Sequence, residues 1–201
     1  MKKTLVTAIL GLAAAASIQA QGFISLYNYN AGGILNPITY GANSGGTLNA
    51  NVTSPGYTVG MYYFVGSSAA TVNAAFNGSG FDIPTGMTFA TGVGATTGLG
   101  TDAAGQYASG ASYGGFPPGT QTADFAVTIV VVAFQTSVGN YAGSTIRGHS
   151  QAFQMTAKTF DAPTTTGSLM NGFQIIGVPE PSTFALAGLG LAGLLIFRRR
   201  K

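Results

Sequence analysis

The chain has 201 residues, with eight Lys and Arg, five Asp and Glu, one His and no Cys, for a formal net charge of +3. Without cysteine it can form no disulfide, no thiolate metal site and no cysteine nucleophile. The basic balance belongs to the two ends: between Gln21 and Gly177 only Arg147 and Lys158 oppose Asp82, Asp102, Asp124 and Asp161, net −2, so the clustered basic footprint of a nucleic-acid binder is missing.

At the start, Lys2 and Lys3 precede an apolar run from Leu5 to Ala16, and Ser17-Ile18-Gln19-Ala20 closes it on a small residue. This is the order of a secretory signal peptide over residues 1–20, cut between Ala20 and Gln21. It implies export through the Sec translocon and processing by signal peptidase.

Residues 21–177, about 157 in number, are enough for one domain with a core of its own. Gly22 to Asn30 alternates Phe23, Ser25 and Tyr27 on one face with Ile24, Leu26 and Asn28 on the other, a strand pattern. Tyr57 to Val65 is a β-branched and aromatic run between Pro55-Gly56 and Gly66-Ser67, and a short helix is expected over Ala69 to Phe76. Asp124 to Phe134 is too uniformly apolar for one wet face and reads as a central strand covered on both sides. Ile146 to Thr156 and Phe173 to Val178 complete the clear strands, with a weaker one at Met87 to Thr91. Gly41 to Ser54 and Gly92 to Gly119 show no hydrophobic period and resist assignment, and 162–171 reads as a loose connection. The fold class that follows is all-β: a single β-sandwich, with a jelly roll among its forms.

Several motifs in this stretch imitate chemistry. Gly110-Ala111-Ser112-Tyr113-Gly114 matches G-x-S-x-G, and Asp124 and His149 follow in hydrolase order. A nucleophile elbow needs a helix after the serine, however, and Gly114-Gly115-Phe116-Pro117-Pro118-Gly119 cannot form one. His149 is the single histidine, and the four aspartates make no calcium loop, so neither a metal nor any other cofactor is expected. The tyrosines are interleaved with asparagines. Tyr27, Tyr29, Tyr62 and Tyr63 are the candidates for glycan contact, against the alternative that such rings cover the core.

The last residues carry the sharpest signal. Val178-Pro179-Glu180-Pro181-Ser182-Thr183 leads into 14 apolar residues, Phe184 to Phe197, which stop at Arg198-Arg199-Arg200-Lys201. Fourteen helical residues cover about 21 Å, short of the roughly 30 Å of a hydrocarbon core, so the span is a marginal anchor. The basic cluster acts as a stop-transfer signal that stays in the cytoplasm. Pro179 and Pro181 hold the stretch outside the membrane away from helix, open to a processing enzyme. Motif 178–183, span 184–197 and tail 198–201 together resemble the PEP-CTERM sorting signal of bacteria that carry exosortases. Gly22 to Asn28, Val132-Ala133-Phe134, Tyr141, Gly143-Ser144 and Phe153 further resemble a verrucomicrobial-type group of PEP-CTERM proteins. The resemblance implies an exosortase partner, a transient single-pass inner-membrane anchor and a final place at the cell surface or outside the cell. It also implies a setting of exopolysaccharide and biofilm. Three functions follow in order: a non-enzymatic envelope or matrix protein, a carbohydrate-binding adhesin module, and a secreted hydrolase.

Overall fold

The computed structural model describes residues 22–178, apart from 31–32, 54, 77–80, 101–102, 118–122 and 160–161. The signal peptide and its site at Ala20 and Gln21, the motif after Val178, the apolar span and the basic tail lie outside the described residues. Among the described residues, no helix is long and apolar enough to cross a membrane.

Among the described residues the domain is all-β, with one short helix. In chain order the strands are β1 (Ile24–Tyr27), β2 (Tyr29–Asn30), β3 (Gly33–Ile34), β4 (Ile38–Tyr40) and β5 (Tyr57–Val65). After helix α1 (Ala69–Phe76) come β6 (Thr88–Phe89), β7 (Thr96–Gly98), β8 (Ala108–Tyr113) and β9 (Phe125–Gln135). The last four are β10 (Ile146–His149), β11 (Phe153–Ala157), β12 (Thr164–Thr165) and β13 (Phe173–Gly177).

The two longest strands form the spine. β5 and β9 pair antiparallel over nine residues, from Tyr57 opposite Gln135 to Val65 opposite Val127. The free edge of β9 is shared by β10 and β11, and that of β5 by β6 and β7. Beyond β10 lie β13 and, parallel to it, β4. A smaller sheet runs in the order β12, β1, β8, and β2 and β3 form a separate ribbon. Two isolated bridges tie the sheets at their edges: Leu99 to Tyr107 joins β7 to β8, and Phe23 to Lys158 joins β11 to β1. The hydrogen-bonded path β1, β8, β7, β5, β9, β11 therefore returns to its start. The two sheets close around one core instead of facing each other with open sides.

That core explains the sequence pattern. Val127, Ile129, Val131 and Ala133 of β9 face inward with Val59, Met61, Leu99 and Met155. The alternate residues Val130, Val132 and Phe134 face outward into a second cluster, where Val72 of α1 and Tyr141 cover them. A strand roofed on both faces is expected to be apolar throughout, as the run at 129–134 is; Thr128, also buried, donates to Gly66 O at 2.8 Å and accepts from Ser68 N at 2.9 Å. In β1 the alternation places Ile24, Leu26 and Asn28 at 0% exposure. The desolvation of Asn28 is offset because both amide hydrogens and the carbonyl oxygen of its carboxamide are hydrogen-bonded. Asn28 donates to Asn36 O at 3.0 Å and Gly105 O at 2.9 Å, and accepts from Tyr107 N at 2.8 Å.

The stretch expected as one strand at 146–156 is two. Partner numbering shifts by one between His149–Val132 and Phe153–Ile129, the mark of a β-bulge. Ser150 occupies the break: its Oγ accepts from Val131 N at 3.0 Å where a carbonyl would otherwise do so. The extra residue reverses the faces, so Arg147 and His149 lie on the outer face while Met155 and Ala157 enter the main core. The unassigned 92–119 stretch supplies β7 and β8, and the expected connection at 162–171 supplies β12.

Candidate functional site

Outside β5 and β10 the cover is incomplete, and the gap beside Tyr62 and Arg147 forms a cleft. It has a volume of about 340 Å³ and is lined by Tyr62, Asp82, Thr85, Met87, Tyr141 and Arg147, among others. A second hollow of about 400 Å³ lies on the α1 side of the same 82–85 segment, against Thr71, Val72 and Ala75. Both volumes fall at the low end of ligand pockets, about 300–1,000 Å³.

Arg147 anchors the cleft. It sits on β10 opposite Phe134, which faces outward, and that register puts its own side chain on the outer face. That side chain is 10% exposed, and its guanidinium carbon lies 5.1 Å from the centre of the Tyr141 ring. Nη1 donates to Tyr141 O at 3.0 Å and to Ala142 O. Nη2 reaches Asp82 Oδ1 at 3.4 Å, the long end of an ion pair, and the Asp82 side chain is 75% exposed. Arg147 Nε is buried and has no hydrogen-bond partner. Tyr141 donates its hydroxyl to Phe81 O at 3.0 Å, which ties the loop before Asp82 to the sheet. Burial raises the Tyr141 and Tyr62 hydroxyls above their usual range, opposed in each by the nearby Arg147 charge.

The four candidate tyrosines part company. Tyr27 and Tyr29 are half-buried and form a tilted ring pair with centroids 5.6 Å apart. Tyr62, also half-buried, packs on Phe89 at 4.9 Å and on Tyr141 at 6.2 Å, and lines the cleft. Tyr63 is a correction. One residue further along β5 the side chain turns to the other face, so it is 6% exposed and packs on Tyr113 and Phe116 in the main core. It cannot share a surface with Tyr62.

The hydrolase-like trio is also dispersed. Ser112 lies inside β8, where its Oγ meets Ser25 Oγ at 3.0 Å across the smaller sheet, and the described residues between β8 and β9 form no helix. Asp124 accepts from Lys158 Nζ at 2.7 Å and from Thr159 N at 2.9 Å, and these bonds hold its carboxyl below the usual range. His149 pairs with Val132 and stacks on Phe76 at 4.1 Å. Asp124 precedes β9 by one residue and Val132 is eight residues along it, so about 26 Å of extended strand separates the acid from the histidine. No triad is assembled. Among the described residues, no three His, Asp or Glu gather into a metal-binding group.

The cleft was not legible as a site. Arg147 was visible only as a rare charge, and its partners Asp82 and Tyr141 lie 65 and 6 residues away in sequence. The signal available was scarcity: a lone arginine in a charge-poor domain needs a reason to be there.

Beside Arg147, which pairs with Ile176, β13 runs straight into the sorting segment. It is held between β4 and β10, and the residues closing it are tied down, Gly177 N to Ala42 O and Val178 N to Thr145 O, both at 2.8 Å. Residues 177–201 match the PEP-CTERM protein-sorting motif. The match supports an exosortase-sorted, exported protein with a C-terminal membrane-anchor sorting signal. It covers the sorting segment alone and does not extend to the verrucomicrobial-type likeness of the domain. Comparison with curated proteins gave no match, and neither did comparison with solved structures.

Proposed function

We propose that this is a non-enzymatic cell-envelope or extracellular-matrix protein, processed by exosortase and associated with exopolysaccharide in a biofilm. The observation that carries the reading is the direct hand-over from β13 to the sorting motif, which begins at Gly177, the last residue of that strand. Only six residue steps separate Val178, hydrogen-bonded into the fold, from Phe184 at the start of the apolar span. A fully extended chain covers about 20 Å in that distance. Until it is cut, the domain is therefore displayed against the membrane, and after cutting β13 stays locked in its sheet.

The surface suits association with a neutral, hydrogen-bonding polymer. The four described charged side chains of the domain pair off as Arg147 with Asp82 and Lys158 with Asp124. What remains outward is rich in Ser, Thr, Asn and Gln. An adhesin with a defined carbohydrate site is the second reading, favoured by the half-exposed Tyr27–Tyr29 pair.

Two measurements test the proposal. Replacing Glu180, or deleting Arg198 to Lys201, is expected to leave uncut chain in the membrane fraction. Unchanged release would contradict exosortase processing. Released protein is expected to co-sediment with the producer's own matrix polysaccharide, and its absence from that pellet would remove the glycan association.

A further inference from the structure

We propose that the cleft beside Arg147 binds a carboxylated sugar, with the carboxylate held side-on by Arg147 Nε and Nη2. The inference rests on the glycan-associated reading and narrows it to one site and one ligand class.

A guanidinium offers five donors in a fixed plane, and carboxylates prefer to take two of them in parallel. Here Nη1 is spent on the carbonyls of Tyr141 and Ala142, which fixes the plane, and the Tyr141 ring covers one face. The donors left over are Nε, which has no partner, and Nη2, which has only Asp82 at 3.4 Å. Those two form the side-on edge of the fork. A buried donor without a partner is uncommon in a folded domain, and Arg147 Nε is the one such side-chain atom among the described residues.

Asp82 is a weak occupant of this edge. It touches a single nitrogen at long range and is three-quarters exposed, the situation in which an ion pair contributes little. An incoming carboxylate can displace it at small cost and bond both donors. Nε is buried in the unliganded structure, so binding requires the groups that cover it to move along with Asp82. The 81–87 loop is held by the Tyr141 hydroxyl on Phe81 O and flanked by hollows on both sides, which gives it room.

The remaining walls specify a sugar rather than a bare anion. Tyr62 and Met87 offer a half-exposed apolar wall for the C–H face of a ring, while Thr85 and the displaced Asp82 carboxylate can pair with hydroxyls. A cleft of about 340 Å³ suits one or two sugar units, not a long polymer segment.

The experiment is a calorimetric titration of the full chain in detergent. The probes are a uronic-acid oligosaccharide, its neutral counterpart and a short acidic peptide. The uronate is expected to bind at least 10-fold more tightly than either of the other two. Arg147→Gln should abolish that preference, and Asp82→Asn, which removes the competing carboxylate, should tighten uronate binding several-fold. Equal binding of the neutral sugar overturns the proposal, and so does equal binding of the peptide. Weakening by Asp82→Asn overturns it independently of whether Arg147→Gln folds. If uronate binding fails while co-sedimentation with matrix polysaccharide persists, the cleft assignment falls alone. If both fail, the glycan reading falls with it.

Discussion

The two faces of β9 are built from one apolar run, yet they are covered in opposite ways. The inner face meets a second sheet whose edges are bridged to the first, so Ile129 and Val131 are sealed. The outer face meets a single two-turn helix, a loop and one tyrosine, which bury Val130, Val132 and Phe134 as well but leave two hollows beside Tyr62 and Val72. A sheet covers a sheet continuously because strands pair at a fixed spacing; a helix and a loop cannot. The inner face therefore carries stability and the outer face carries the only described charge buried beside open space.

The largest effect should come from the sealed side. Ile129→Ala is expected to cost about 2–5 kcal/mol of unfolding free energy, since nothing can collapse into the space. Val72→Ala on α1 should cost clearly less, because the hollow beside it already admits solvent. Equal costs in chemical denaturation would erase the distinction between the faces.

Next in size is Asn28→Ala. It leaves the Tyr107 N–H and the Gly105 carbonyl without their side-chain partner, a loss of about 1–3 kcal/mol. The same denaturation midpoints check it.

Alkali should act through both faces. Burial raises the hydroxyls of Tyr107 and Tyr113 inside and Tyr141 outside above the ordinary 10.0. The unfolded chain then gives up these protons first, so stability holds below about pH 10 and falls as pH rises beyond it. Tyrosinate absorbance that appears in step with unfolding is the expected result. Complete tyrosinate absorbance from all nine tyrosines well before unfolding would show these three rings open to water.

The smallest effect belongs to the surface pair. Hydrogen bonds from Lys158 and Thr159 hold the Asp124 carboxyl below 3.8. Its contribution is present above that value and fades as pH falls through the lower, folded one. Asp124→Asn should flatten acid denaturation slightly and leave the cleft's ligand binding untouched; a change in binding would link two sites that the structure keeps apart.

How much was legible depended on side-chain size. β5, β9 and β13 were readable because bulky β-branched and aromatic residues are concentrated in them. β7 and β8, with sequences Thr-Thr-Gly and Ala-Ser-Gly-Ala-Ser-Tyr, carry almost no such signal. They are strands because β5 and β1 offer them edges. Their close approach also requires Gly94, at φ +76, where a Cβ would come within 2.5 Å of the Ser112 backbone. The bulge at Ser150 was hidden for a related reason: one inserted residue leaves composition unchanged but reverses every face after it.

By itself the sequence determined the sorting signal at the end, the all-β character of the middle and the double covering of β9. Each depends on local chemistry: a run of apolar residues, a proline pair, a basic tail. Only the tertiary structure decided that Tyr62 and Tyr63 part to opposite faces, that Ser112, Asp124 and His149 never meet, and that Arg147 lines a cleft with its Nε unpartnered. Those are relations between residues far apart in the chain, and register, bulges and edge pairing set them, none of which a single residue encodes.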